Sequence, residues 1–210
     1  RLNRLEQTFQ SFGQVLLAAI NLQSAPEIDS IVDSMPVMLA QNGHSYSARV
    51  AREIAAIGYC AAKRTRFHGV RLHVIGKRQS RRLPVPTQVF LASAAHHDSK
   101  ALKEQRIELA NTTLFGDLAF ADKHLVESFN QQQTRLVTGQ KKPKGRELSE
   151  IEKYKNRLIA KLRQPIESLF NWINEKTEIQ KASKVRSTNG LMIHCWGKLV
   201  VAFYLLVFYY

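Results

Sequence analysis

The spacing of apolar residues along the chain predicts a succession of helices and strands. Apolar side chains recur at three- and four-residue steps over residues 1–24, which is the period of an amphipathic helix. Residues 28–39 carry clustered Ile, Val, Met and Leu, which predicts a short buried strand that closes at Pro36. Residues 42–47 are polar and predict a loop, and residues 48–57 fit a short helix.

The middle of the chain predicts a hairpin followed by alternating elements. Residues 67–75 alternate well enough for a strand, Arg81 and Arg82 mark a turn, and residues 85–91 predict the returning strand. The next predicted elements are a helix, a strand, a helix and a strand, at residues 98–110, 114–120, 122–131 and 134–137.

Two long helices are predicted in the last third of the chain. Ser149 and Glu152 form a capping-box pattern that begins a helix running toward residue 181, in which Pro165 is expected to cause a kink or a division. Residues 191–210 are apolar and almost long enough to span a membrane.

Three residues interrupt that last apolar run, so that only residues 199–210 are continuous: His194, Gly197 and Lys198. The interruption favours a buried helix that packs on a sheet, and a membrane anchor is the alternative. The order of all these elements predicts an α/β fold. Early strands in a hairpin and later strands separated by helices imply a mixed sheet with helices on both faces, as in the ribonuclease-H-like fold.

Composition and charge narrow the function. The 210 residues include 31 Lys and Arg against 17 Asp and Glu, and the net charge of +14 makes polyanions the first partners to expect. The hydrophobic share of 44% excludes a mainly disordered chain. Cys60 and Cys195 are too far apart for a zinc ribbon or a disulfide framework, which suits a reducing cytosol. The Gly-rich phosphate-binding and G-x-S-x-G patterns do not occur in the sequence.

Three acidic residues are candidates for chemistry. Asp33 and Asp117 lie in apolar surroundings on predicted strands, where a carboxylate is costly to bury unless it binds a cation. Glu167 lies at the border of the apolar stripe of the long helix. Two aspartates and a glutamate can hold two divalent ions about 4 Å apart, which activate water or a 3′-hydroxyl in phosphodiester chemistry. The alternatives are capping or strand-end aspartates and a solvated glutamate.

Basic residues are concentrated in one stretch. Residues 63–82 contain eight Lys and Arg and no acidic residue, and on a hairpin they would form a surface suited to a phosphate backbone. The alternative is a solvated edge strand whose charge prevents it from pairing with strands of other molecules. The loop at residues 141–146 is also basic. The candidate DNA-binding residues are Arg64, Arg66, Arg71, Lys77, Arg78, Arg81, Arg82, Lys141, Lys142 and Lys144.

His96, His97 and Asp98 could suggest a transition-metal site. Adjacent residues on a strand point to opposite faces, however, so both histidines cannot easily bind one ion. We therefore expect Asp98 or Ser99 to be the N-cap of the following helix.

Five motifs together resemble the DDE transposases of bacterial insertion sequences, from about residue 28 to the C-terminus. In chain order they are IVDSMPV, GYCAAKRTRFHGVRLHVI, ASAAHHD, LFGDLAFAD and RQPIESLFNWI. The resemblance implies a ribonuclease-H-like DDE catalytic domain over residues 28–210, with Asp33, Asp117 and Glu167 as the metal-binding triad. It also implies that Arg163 lies near the DNA backbone.

The same resemblance implies the function. A DNA transposase of this kind would cleave and transfer DNA strands with two Mg²⁺ or Mn²⁺ ions, acting on double-stranded DNA at the element ends and at the target. We expect a homodimer on DNA, a cytoplasmic, nucleoid-associated location and no membrane contact. Relatives carry an N-terminal DNA-binding region, so residues 1–27 are expected to be a helical remnant of a truncated copy. A catalytically silent DNA-binding remnant is the alternative.

Overall fold

The computed structural model describes residues 2–24, 29–105 and 107–209. The predicted domain boundary between residues 27 and 28 lies outside the described residues and stays a prediction. The helices are α1 Leu2–Gln23, α2 His44–Ser47, α3 Asp98–Glu104, α4 Lys123–Asn130, α5 Glu150–Thr177 and α6 Thr188–Tyr209. The strands are β1 Asp29–Gln41, β2 Ala56–Cys60, β3 Thr65–Lys77, β4 Val85–Ser93, β5 Thr113–Gly116 and β6 Arg135–Thr138.

The strands form one mixed sheet of six strands. β1 lies between β3, to which it is antiparallel, and β5, to which it is parallel, and β6 continues the parallel side. β2 and β4 both pair with the other edge of β3, β2 along its first residues and β4 along the rest. The predicted hairpin is confirmed as β3 and β4.

Helices cover both faces of this sheet, which confirms the predicted ribonuclease-H-like fold class. On one face, called the α5 face below, α1, α5 and α6 bury apolar side chains against β1 and β3. On the opposite face, called the α3 face, α3 and α4 pack on the alternate side chains of β1, β3, β5 and β6. This alternation is the two-residue period of strands with both faces buried.

β1 extends far beyond its partner β5. The parallel ladder joins only Asp29–Ile31 to Thr113–Phe115, and β5 ends at Gly116. β1 itself continues to Gln41, so the prediction that the first strand closes at Pro36 is wrong. Met38, two residues further on, directs its N–H and C=O away from β3, to Gln180 and Ala182. The Pro36 nitrogen faces the same way, where no strand is paired and no N–H is needed.

Local differences from the prediction occur between β1 and β3. The predicted loop at residues 42–47 contains α2, and the predicted helix at residues 48–57 is replaced by turns and the start of β2, with Ala51 at φ 55°. β2 was not predicted. Its Gly58 lies so close to the backbone of Ala94 that a Cβ atom would come within 2.5 Å of the carbonyl oxygen. This packing against a distant segment gives no local hydrophobic pattern.

The two C-terminal helices follow the prediction closely. α5 begins with the predicted capping box of Ser149 and Glu152, and Pro165 does not divide it. The burial of Ile166 and the residues after it against the sheet keeps the helix in place. α6 packs on α1 and α5, as a buried helix should. By length and composition alone α6 could also cross a membrane, so the expected absence of membrane contact stays a prediction.

Candidate active site

Asp33 lies at the point where β1 and β5 separate, two residues beyond the last residue of the ladder that β1 forms with β5. Its side chain points to the α5 face, where Arg163 Nη2 approaches its Oδ2 to 2.8 Å. The backbone N–H of Ser34 donates to Asp33 Oδ1 at 2.8 Å. Both charged side chains are mostly buried, with 17% of Asp33 and 14% of Arg163 exposed.

The pKa of Asp33 is raised from 3.8 to about 6. Burial is the main cause, and the negative charges of Asp117 and Asp98 raise this pKa further. The Arg163 guanidinium and the Ser34 hydrogen bond lower it, but they do not offset the other contributions. The carboxylate is therefore under-compensated, and an additional cation would stabilise its charged form.

Asp117 follows directly after β5, so the two strands that separate each carry one aspartate. The Asp117 carboxylate accepts a hydrogen bond from the Ala119 N–H at 2.7 Å and caps a short 3₁₀ turn. Asp117 thus makes the contact of a capping aspartate, and its negative charge also raises the pKa of Asp33. Between Asp117 and Arg163 lies an open cavity of about 230 Å³. Its remaining lining residues are Gly116, Leu118, Gly139, Asn156, Ile159 and Ala160.

Glu167 lies on α5 four residues after Arg163, which places both on the same side of the helix. Its side chain is exposed. Among residues 2–24, 29–105 and 107–209, no three His, Cys, Asp or Glu side chains form a group that could hold a metal ion. The structure therefore brings Asp33 and Asp117 together, and the convergence of all three carboxylates stays a prediction.

The predicted basic residues fall into three separate groups. Arg64 and Arg66 lie where β3 begins, whereas Lys77, Arg78, Arg81 and Arg82 lie where it ends. At about 3.3 Å per residue the ends of β3 are roughly 40 Å apart. The third group, on the exposed loop of residues 141–146, is tied to α5 by a pair of hydrogen bonds between Gln140 and Asn156.

Arg71 differs from the other basic candidates because it points to the α3 face of the sheet. It lies behind Asp33, where it contacts Ser34 and Asp98. Neither Ser34 nor the place of Asp98 beside the site was foreseen. The N-cap of α3 is His97 and not Asp98 or Ser99 as predicted, and the Asp98 carboxylate accepts instead from Ser34 Oγ at 3.0 Å. No local pattern could reveal a contact between residues 64 positions apart.

The sheet order, the helices on both faces and the two aspartates where β1 and β5 separate place the molecule in the ribonuclease-H-like class. A family model described as the transposase DDE domain matches residues 25–204. Since the match covers most of the chain, the protein belongs to the DDE transposase family. A comparison with curated proteins gave no match. DNA is the partner that this family suggests, and its domains typically use divalent metal ions.

Proposed function

We propose that this chain is the catalytic domain of a metal-dependent DNA transposase. It would hydrolyse a phosphodiester bond at the end of an element and then join the freed 3′-hydroxyl to target DNA. The observation that supports this most is the position of Asp33 and Asp117 at the separation of β1 and β5, with Arg163 beside them on α5.

Asp33, Asp117 and Glu167 would hold two Mg²⁺ or Mn²⁺ ions. The donor type fits, because hard divalent cations prefer carboxylate oxygens. The charge also fits, because burial raises the pKa of Asp33 more than the Arg163 guanidinium lowers it, so that a further cation would favour the charged form. When bound, the ions would activate the attacking oxygen and stabilise the leaving oxygen.

Arg163 would orient the substrate. Its guanidinium lies between the Asp33 carboxylate and the cavity beside Asp117, and its buried Nε has no hydrogen-bond partner in the described part of the chain. A guanidinium has five N–H donors, so Arg163 can hold the carboxylate and still donate to a phosphate oxygen. In each step one P–O bond forms to water or to the 3′-hydroxyl while another P–O bond breaks.

The basic groups would bind the DNA backbone. Both ends of β3 carry positive charge, and their spacing is close to one turn of duplex DNA, about 34 Å. One duplex could therefore contact both ends of β3. The predicted DNA-binding residues at the two ends of β3 and in the loop of residues 141–146 would contact the phosphates. The protein would act as a homodimer on DNA. It would be a cytoplasmic, nucleoid-associated protein of an insertion sequence.

The proposal is tested by DNA nicking and joining with Mg²⁺ or Mn²⁺. We expect Asp33→Asn, Asp117→Asn and Glu167→Gln each to lower activity by about 10⁴-fold, because each removes a charge needed at the site. Glu175→Gln is the matched control on the same helix, since Glu175 is exposed and pairs with Lys176. Cleavage by the triple variant at the wild-type rate would refute the proposal, as would a wild-type chain that binds DNA without cleaving it.

A further inference from the structure

A polar cluster lies directly behind Asp33, on the α3 face of the sheet. Ser34 points to this face because successive side chains of a strand alternate. Its Oγ donates to Asp98 Oδ1 at 3.0 Å and accepts from Arg71 Nη1 at 3.3 Å. Arg71 Nη1 also lies 4.0 Å from Asp98 Oδ1, and its Nη2 donates to the Tyr59 carbonyl at 2.8 Å. These contacts connect β1 to α3 and to β2.

His73 closes the cluster from the neighbouring strand. It is opposite Ser34 in the β1–β3 ladder, is fully buried and stacks on Phe90 with ring centroids 4.7 Å apart. His73 Nε2 lies 3.7 Å from Asp98 Oδ1, which is too far for a hydrogen bond. In the described residues neither ring nitrogen has a hydrogen-bond partner. The imidazole thus fills the space beside the Asp98 carboxylate and limits its movement.

Ser34 links the two faces of the sheet. Its N–H donates to Asp33 Oδ1 and its hydroxyl donates to Asp98 Oδ1, so two aspartates hold one serine from opposite sides. At this position β1 no longer has β5 as a neighbour, since that ladder ends at Ile31. A strand segment that is paired on one side only is less constrained by its ladder. Contacts that hold Ser34 in place therefore also help to hold the Asp33 carboxylate, because the Ser34 N–H donates to it.

We propose that Asp98 is a positioning residue of the metal site. By accepting the Ser34 hydroxyl it fixes the Ser34 N–H and, through that N–H, the orientation in which Asp33 binds a divalent ion. The inference rests on the proposed function, because it requires Asp33 to be a metal ligand. Residues that orient metal ligands typically change metal affinity by about 10- to 100-fold when they are replaced.

The test measures Mn²⁺ affinity of the whole chain without DNA, by electron paramagnetic resonance of the free ion. Asp98→Ala and Ser34→Ala should each weaken Mn²⁺ binding about tenfold. The double variant should bind no more weakly than the weaker single variant, because both changes break the same link. Asp98→Asn keeps an acceptor oxygen and should retain most of the affinity.

Asp122 provides the matched control. It also lies at the start of a helix and accepts a backbone N–H, from Leu125 at 3.0 Å, but it is outside the site. Asp122→Ala should lower Tm and leave Mn²⁺ affinity unchanged. If Asp98→Ala and Ser34→Ala behave in the same way, Asp98 is a structural residue only and the inference is wrong.

The two proposals fail differently. Loss of Mn²⁺ binding in Asp33→Asn together with wild-type binding in the Asp98 and Ser34 variants would refute the positioning role alone. Wild-type Mn²⁺ binding by Asp33→Asn would refute the metal site itself and, with it, the positioning role. Ser34→Ala removes only one hydroxyl, so its Mn²⁺ affinity still tests the positioning role of Asp98 if Asp98→Ala does not fold.

Discussion

Two arginine–carboxylate pairs in this protein have the same chemistry, but the pKa of the carboxylate lies below its usual value in one pair and above it in the other. In the loop before α5, Arg146 makes two hydrogen bonds of 2.9 Å to Glu152 and lowers the pKa of that carboxylate to about 2. At the separation of β1 and β5, Arg163 lies 2.8 Å from Asp33, yet the pKa of Asp33 is about 6. A nearby guanidinium therefore does not by itself determine the pKa of a carboxylate.

The difference comes from the surroundings. Arg146 is more than half exposed, and its carboxylate partner also accepts the Ser149 N–H. Asp33 is buried beside two further aspartates, and burial penalises the charged form more than one arginine favours it. The loop pair belongs to the N-terminal cap of α5, whereas the buried pair would be stabilised by a further positive charge. Such perturbed groups are more often found at functional sites.

The largest effect is expected when the buried pair is broken. Arg163→Gln should lower the free energy of unfolding by about 3 kcal/mol at pH 8, because it leaves a buried carboxylate without its cation. The loss should become smaller below pH 6, where Asp33 takes up a proton. Denaturant titration at several pH values measures both. Arg146→Gln is the control and should cost far less, and equal losses for the two variants would remove the distinction between the pairs.

A smaller effect of opposite sign is expected for Asp33→Asn. Because the folded-state pKa of Asp33 is raised from 3.8 to about 6, the folded protein binds this proton more tightly than the unfolded chain. Its contribution to stability is therefore present below about pH 4 and is lost as the pH rises through 6. Relative to wild type, Asp33→Asn should therefore gain up to about 3 kcal/mol of stability between pH 4 and pH 8 in the metal-free protein.

The matched measurement uses Glu175→Gln, an exposed change on α5 that should leave the pH profile of stability unchanged. An Asp33→Asn variant that gains no stability relative to wild type between pH 4 and pH 8 would contradict the raised pKa of Asp33.

The smallest effect on stability is expected in the loop that carries the exposed pair. Replacing Lys141, Lys142 and Lys144 by Gln should leave Tm nearly unchanged, since all three side chains are exposed. The slope of log affinity against log salt for duplex DNA should nevertheless fall by about 0.9 for each phosphate that the loop no longer neutralises. Fluorescence anisotropy at several salt concentrations gives this slope. A slope equal to that of wild type would exclude the loop from the DNA interface.

Much of the fold could be predicted because its strongest signals are local. Apolar and polar residues alternate along the middle of β3, a turn separates β3 from β4, and Ser149 with Glu152 begins α5 as the capping pattern predicts. The order of these elements is enough to predict a mixed sheet with helices on both faces. β2 escaped prediction because its pairing with β3 and the close approach of Gly58 to Ala94 are long-range features.

The site is less predictable for the same reason. Apolar neighbours in the sequence identified Asp33 and Asp117 as unusual carboxylates. The partner of Asp33, however, is Arg163, which is 130 positions away. The contact of Ser34 with Asp98 likewise depends on α3 packing beneath β1. Periodicity assigns a residue to a face of its own element, but it does not give the angle at which another element approaches.

The open edge of β1 has a consequence for solubility. An unpaired strand edge can recruit a strand of another molecule and begin aggregation. Between Ser34 and Met38, however, the outward-facing positions offer no free donor. The Ser34 N–H is bound by Asp33, Pro36 has no N–H, and the Met38 N–H donates to the Gln180 carbonyl at 2.8 Å. The edge of β1 beside Asp33 can thus stay unpaired while it resists the addition of a strand.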